Sequence, residues 1–349
     1  MVTHLENPMT QVSISPKGQI LARSLILRAT TKNLSYETAR DIATSRWGQY
    51  QGELIAKAAV ASITQSDIGD TAVAEFFGLV MERSLLGRLA GLRRLPFNRR
   101  MLKITAGSNG YWVAESNPVP LSKPALDGSS LPPLKVCAMI VATEESLKVG
   151  GPIAENGFQR DLERAVVDTT DIALLDASNA GVADERPASI TYGAPSAAAT
   201  GDAAADIATL INLFGGDLGA AYFVTDATTA TNMALLRTAE GGLIFPDVGA
   251  RGGSVLGIPL LISRASPRDS SSGQLALIDP TGIAYGADGM SFESAEHATV
   301  AMSDTPESDP VLVSLWQRNL VGYKSIMSAN WEVQRDGSVA VLTGVAWGA

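Results

Sequence analysis

The sequence predicts a mixed helix-and-strand (α+β) chain folded as two lobes or more. Its 349 residues exceed the roughly 250–300 at which a single hydrophobic core stops growing. One long helical periodicity, over residues 152–178, stands among many shorter β-like runs. Proline and glycine clusters separate those runs into groups, so they cannot form one uninterrupted element.

In the N-terminal region, residues 1–64, good helix formers dominate positions 35–63, and Ser35 with Thr38 offers caps. Residues 67–92 read as a second helical stretch carrying Val73, Phe76, Phe77, Val80 and Leu85; Pro96 then turns the chain extended. Five arginines, Arg88, Arg93, Arg94, Arg99 and Arg100, fall within thirteen residues. Such a cluster suits a nucleic-acid patch or ion pairing with acidic neighbours at an interface. The acidity of the rest of the chain favours the second. Residues 101–105 and 111–115 read as strands around a turn at 107–110. Pro118, Pro120, Pro124, Pro132 and Pro133 with Gly128 then exclude a central strand over 116–133, before a β run at 134–143. An isolated hairpin is marginal in water, so this stiff tip is expected either to lie on a neighbour or to form a lid or loop.

Over residues 152–178, Phe158, Leu162, Ala165, Thr169, Ile172 and Asp176 recur at alternating steps of four and three, with Val166, Ala173 and Leu174 beside them. About 25 residues at ~1.5 Å each make a rod of roughly 40 Å, long for a globular domain and natural for a spine. Asn179-Ala180-Gly181 is a suitable stop. A small-residue linker at 191–200 opens the next lobe. There Asp202 can cap a helix with an apolar face of Ile207, Leu210, Ile211, Phe214 and Leu218. A buried strand at 221–225 leads to a helix capped by Asp226 or Thr228, running to Arg237 and ended by Gly241-Gly242. Residues 253–263, 274–278 and 291–302 read as strands. After an acidic turn at 303–310, an apolar run leads to a final hairpin of 331–334 and 339–347 about Asp336-Gly337. These last strands are expected to return to the first lobe and pair beside the spine.

The chemistry is sparse. Apolar residues make up 46% and charged residues 18%, a balance that leans towards a subunit burying part of its exterior against copies of itself. The formal net charge of -9 argues against a nucleic-acid coat. Cys137 is the only cysteine and reads as a small buried hydrophobe; no intrachain disulfide can form, which makes a cytosolic setting the default. His4 and His297 are the only histidines, so no metal site of recognisable spacing can be assembled, and His297 reads as a surface residue within a strand. The nucleophile elbow, phosphate loop and dinucleotide-binding turn are all absent. Glu144-Glu145 read as solvated or interfacial, and the doublets Gly150-Gly151, Gly215-Gly216, Gly241-Gly242 and Gly252-Gly253 as turns at element ends. The first residues lack the apolar core of a signal peptide, and no apolar run approaches the ~20 residues of a membrane span. Neither catalysis nor a cofactor is expected.

The order of several motifs resembles the major capsid proteins of tailed bacteriophages, which share the Hong Kong ninety-seven fold. It is carried by Gly91-Leu92-Arg93-Arg94-Leu95, Trp112-Val113-Ala114-Glu115, the run at 135–141, Glu144-Glu145-Ser146-Leu147 and the helix ending Leu174-Leu175-Asp176. Phe223-Val224-Thr225-Asp226, Ala234-Leu235-Leu236-Arg237, Gly242-Leu243-Ile244-Phe245, Leu256-Gly257-Ile258-Pro259-Leu260 and residues 315–323 follow. The likeness runs from near Asp67 to the C-terminus. It implies an N-terminal helical extension (1–64), an N-arm (65–100), an E-loop hairpin with flanking strands (101–143), a P-domain with the spine helix (144–199), an axial A-domain (200–302) and P-domain return strands (303–349). It further implies pentamers and hexamers of an icosahedral shell enclosing double-stranded DNA without sequence-specific binding. Portal and scaffolding proteins are the implied partners, decoration proteins an optional addition, and no membrane is involved. The implied location is the virion, after assembly in the host cytoplasm. Expected inter-subunit contacts are Pro118, Pro120 and Lys123 on the loop, Arg93, Arg94, Arg99 and Arg100 before it, and Pro246 and Arg251 near the axis.

Some relatives weld neighbours by a Lys–Asn isopeptide bond assisted by a glutamate. Here the asparagine position reads Asp309-Pro310-Val311 and Gln317 stands near that of the glutamate, so no crosslink is expected. The family often removes a scaffold-like N-terminal segment; residues 1–64 are short for one, and an uncleaved arm with a separate scaffold is expected. An encapsulin-type nanocompartment and, from another class, an α/β enzyme with a carboxylate site are the alternatives.

Overall fold

The computed structural model describes residues 20, 23–24, 27, 35–60, 77–106, 112–113, 115, 125–238, 240–303 and 311–348. The chain divides into two compact units: residues 1–79, 139–162 and 292–324, and residues 80–138, 163–291 and 325–349.

The second unit is built on a seven-stranded sheet. Its strands are β5 (Ser196–Ala198), β6 (Tyr222–Thr225), β7 (Val248–Gly249), β8 (Gly252–Val255), β9 (Ile258–Ile262), β10 (Gly273–Ile278) and β15 (Val339–Val345), in the order β5-β15-β10-β6-β9-β8-β7. Alternation along the central strands supplies two cores at once. Phe223, Leu275, Leu277, Ala340 and Leu342 face one cluster, which helices α5 (Ala203–Leu213) and α6 (Ala227–Leu235) complete through Ile207, Leu210 and Met233. Val224, Ala276, Ile278, Val339 and Val341 face another, completed by Leu85, Leu174, Leu175 and Trp331. Register makes these sets coincide: Ala276 sits opposite Val224 and Val341, Leu277 opposite Phe223 and Ala340. Each fully buried Leu or Phe stabilises by about 1.5–3 kcal/mol, so a one-residue slip would exchange both cores.

Both helices start where their caps are. Asp202 Oδ1 accepts from the backbone N–H of Ala204 and Ala205, and Asp226 Oδ2 from those of Thr228 and Thr229. Leu218 lies off the expected apolar face and is exposed, because α5 ends at Leu213. The expected strand over 253–263 is two strands, since Leu256 and Gly257 both adopt positive φ and fold β8 back on β9.

In the first unit, α1 (Tyr36–Trp47) and α2 (Gln49–Val60) form a helical pair around Ala39, Ala43, Ile55, Ala56 and Ala59. Ser35 caps α1 by accepting from Thr38 N, as expected. The single helix expected over 35–63 is broken at Gly48, whose φ of 85° leaves the helical region. A Cβ on Gly52 would lie 2.5 Å from Thr44 backbone, so small residues let the two helices touch. A ribbon of β12 (Thr299–Ala301) and β13 (Leu312–Ser314) belongs to the same unit.

The long helix, α4 (Glu144–Leu175), has 32 residues, those to Leu162 falling in the first unit and the rest in the second. It starts at Glu144, eight residues before the expected Pro152, just after Thr143, whose Oγ1 accepts from Ser146 N. Gly150-Gly151-Pro152 therefore lie inside the helix rather than at its end. That stretch costs about 1 kcal/mol per glycine and ~3 for the proline in intrinsic propensity, which is why it reads as a start. The buried stripe is also rotated from the expected one: Leu162, Val166, Thr170 and Leu174 are buried, while Thr169 and Ile172 are exposed. Polar residues on the buried side hid it. Glu163 pairs with Arg83, and Asp171 accepts from Ser84 Oγ and Leu85 N at the start of α3 (Leu85–Arg88).

A four-stranded sheet has the order β1-β11-β14-β4, formed by β1 (Arg93–Arg94), β4 (Lys135–Thr143), β11 (Ile283–Ala295) and β14 (Leu320–Val333). Thus β14 does pair with the strand preceding the spine. The Asp336-Gly337 turn, however, joins no hairpin, because β14 and β15 lie in different sheets. It is held instead by Asp279, which accepts from Arg335, from Thr281 N and Oγ1 and from Asp217 N. A second ribbon pairs β2 (Arg100–Ala106) with β3 (Ala125–Ser130), not with residues 111–115. Trp112 and Val113 lie outside regular structure. The expected burial of Cys137 fails: it is exposed on β4, since alternate positions there face outward. His297 is exposed, as expected, but lies in a bend after β11 and not within a strand.

Candidate assembly surface

The expected contact residues fall in three places. Pro118, Pro120 and Lys123 lie outside the described residues, as do Asp309 and Pro310 of the crosslink comparison. Pro246 and Arg251 are exposed beside and on the β7–β8 hairpin, with Arg251 in its tip. Gly252 and Gly253 shape that hairpin: both have positive φ, and a Cβ on Gly253 would lie 2.0 Å from Asp247 O. The adjoining excursion, closed by Thr238 N on Gly242 O and Ile244 N on Leu236 O, displays Leu243 and Ile244. Leu256, 73% exposed at the β8–β9 turn, extends this apolar rim.

The arginines occupy the edge of the four-stranded sheet. Arg93 and Arg94 form β1, parallel to β11 in register with Ala284 and Tyr285. Leu95 N continues the ladder to Tyr285 O, and Arg94 Nη2 donates to Ala287 O at 3.1 Å. Arg88 turns inward and donates to Ile262 O. Arg93, Arg94 and Arg99 are exposed, and among the described residues none has an ion-pair partner. Among the described residues, then, no acidic partner is supplied to them. Of Arg100 only the backbone, in β2, is described.

Sequence reasoning missed several exposed apolar side chains. Trp112 is fully exposed, and Met302, Val311, Leu312 and Trp316 surround the β12–β13 ribbon and the turn after it. Their signal was available: large apolar residues placed beside turn formers rather than in a periodic stripe. Among the described residues no group of three or more His, Cys, Asp or Glu could hold a metal, and no helix is long and apolar enough to cross a membrane.

Electrostatics beneath these surfaces are closed. The Asp206 carboxyl is pushed up by burial, but hydrogen bonds from Thr200, Trp347 and Gly201 outweigh this and hold it below the usual range. Burial pushes Asp171 up to about 6 despite Ser84, Leu85 and Arg88. Both sit where an element is being locked, Asp206 between α5 and the C-terminus, Asp171 between α4 and α3. Their setting is that of a framework.

Comparison with known proteins agrees. Residues 68–344 match the model of the phage capsid family. The capsid polyprotein of Pseudomonas phage PAJU2 is 34% identical over 322 residues, covering 85% of this chain. The chain spans about half, 48%, of that relative's length. A structure from Gordonia phage Cozz is 17% identical with a TM-score of 0.55, over 74% of this chain and 86% of that one. One from Mycobacterium phage Adephagia is 15% identical with a TM-score of 0.56, over 74% and 89%. The capsid of a native GTA particle is 16% identical with a TM-score of 0.53, over 75% and 90%. At these identities the structural likeness speaks for the fold, that of tailed-phage capsids.

Proposed function

As the chain belongs to the phage capsid family, whose members are structural proteins and not enzymes, we propose that its copies close into the pentamers and hexamers of an icosahedral shell around double-stranded DNA. The observation that carries this reading is the family match over residues 68–344, which takes in both sheets and the long helix. Physical features favour it too. Large apolar side chains are exposed on turns and ribbon ends, as in a subunit whose partners complete it. A net charge of -9 keeps a container wall from adhering to the phosphates it encloses. In such a shell, residues 101–143 act as the E-loop region, 144–199 and 303–349 as the P-domain, 200–302 as the A-domain around Pro246 and Arg251, and 1–64 with 65–100 as the extension and arm. Portal and scaffolding proteins are its assembly partners, the host cytoplasm the place of assembly and the virion its destination.

Neighbours are held by clasping rather than by isopeptide bonds. Electron microscopy of the purified chain across concentration and salt tests the main reading. Shells or capsomers are expected, and a small oligomer under every condition would overturn it. Assembled material should run as a single monomer band on a denaturing gel; a ladder of covalent oligomers would refute the non-covalent clasp.

A further inference from the structure

Resting on the shell reading above, we propose that the cleft between residues 94–97 and 287–288 is the receiving half of a contact with a second copy of this chain. It takes an extended, carboxylate-bearing segment of that copy. The cleft is a concavity of about 520 Å³ lined by Arg94, Leu95, Pro96, Phe97, Ala287 and Asp288. Among the described residues its lining combines Leu95, Pro96, Phe97 and Ala287 with one guanidinium and one carboxylate. This fits a segment that presents a carboxylate to Arg94 and a backbone N–H to Asp288.

The site is built before anything binds. Leu95 N is bonded to Tyr285 O and Asn98 N to Leu131 O, so the backbone on either side of Pro96 and Phe97 is held. A Cβ on Gly286 would meet the Phe97 ring at 2.7 Å; glycine there lets β11 lie flush against the ring. The bond from Arg94 Nη2 to Ala287 O uses one of the five donors of a guanidinium and orients the rest. Little freedom remains to be lost on docking. β1 is moreover the edge strand of its sheet, where an extended segment can add.

Charge identifies the occupant. Arg83, Arg164, Arg268 and Arg335 each face a carboxylate of this chain: Glu163, Asp168, Asp226 and Asp279. Among the described residues Arg94 and its sequence neighbours Arg93 and Arg99 do not, although Asp and Glu outnumber Lys and Arg by 36 to 27. A second copy is therefore an anionic surface, and these guanidiniums, clustered at the cleft and without an ion pair among the described residues, can meet it. Nucleic acid fits less well, because the net charge of -9 over the whole chain repels phosphate.

The test compares the full wild-type chain with R93E/R94E/R99E and R93K/R94K/R99K, following assembly by sedimentation and electron microscopy over a salt series. The glutamate variant should keep the wild-type circular dichroism and melting temperature, yet need at least tenfold more protein to assemble. The lysine variant keeps the charge but loses the planar fork, so its threshold should rise severalfold. A glutamate variant that assembles at the wild-type threshold overturns the proposal. If that variant melts early, the lysine variant decides, and an unchanged threshold refutes the contact. Retention of a short DNA duplex by wild-type subunits that the glutamate variant loses, with assembly intact, assigns the arginines to nucleic acid and also overturns it. A wild-type chain that never assembles brings down the shell reading, and this contact with it.

Discussion

The seven-stranded sheet and the β12–β13 ribbon use similar residues and satisfy them in opposite ways. Every residue of β10 is buried, with a core on each face, and the buried acids around it have partners in Trp347, Arg268 and Arg335. On the ribbon, Leu312 and the flanking Met302, Val311 and Trp316 are exposed. A two-stranded ribbon is marginal alone, so its apolar side chains add little to the stability of a lone subunit. The difference separates a region that completes its packing within the chain from one that leaves apolar surface exposed, the surface that the proposed shell would cover with other copies.

Four substitutions can break or sharpen that contrast. Phe223→Ala, at a fully buried position in the sheet, should cost about 3–5 kcal/mol in urea unfolding. A loss below ~1 kcal/mol would mean the sheet is not the stability centre. Arg335→Ala should cost roughly 2–3 kcal/mol, because Asp279 is fully buried and loses its counter-charge. The loss falls short of a bare charge because Asp217 N and Thr281 still donate to that carboxylate. An equal melting temperature for the variant and the wild type would remove the Asp279 clamp from the account.

Asp171 is the strained member of the well-satisfied unit and sets a pH dependence. Its folded pKa, about 6, lies above the ordinary 3.8, so the folded state holds its proton more tightly than the unfolded one. Its contribution is therefore fully present below the ordinary value and lost as pH rises through about 6. Between pH 4 and pH 7 the wild type should lose about 2 kcal/mol that Asp171→Asn does not lose. Identical pH profiles for the two would show that this carboxyl is not held protonated. Asp206 acts in the opposite sense: its lowered pKa gives stability that is lost as pH falls through that value. The Asn comparison separates the two. Last and smallest, Trp316→Ser, at a position 67% exposed, should change stability by no more than about 0.5 kcal/mol while raising the protein concentration needed for assembly. A large stability loss there would erase the contrast between ribbon and sheet.

Features that depend on neighbours within a few residues could be read from the amino acids alone. Ser35, Asp202 and Asp226 cap helices because a side-chain oxygen reaches N–H groups two or three positions on. The buried strand at 221–225 and the helix start after Asp202 were legible on the same local grounds. Features that depend on partners far along the chain emerged with the fold. Asp336-Gly337 makes the expected turn, yet Val339 pairs with Ile278 instead of folding back on β14, because sheet membership is set by non-local pairing. The buried face of the spine helix escaped periodicity because Glu163 and Asp171 count as polar until Arg83 and Ser84 come to meet them. The proposed contact surface divides along the same line. Its arginines could be read as a cluster, but only the fold shows that Arg94 borders a preformed cleft and that no carboxylate among the described residues pairs with it.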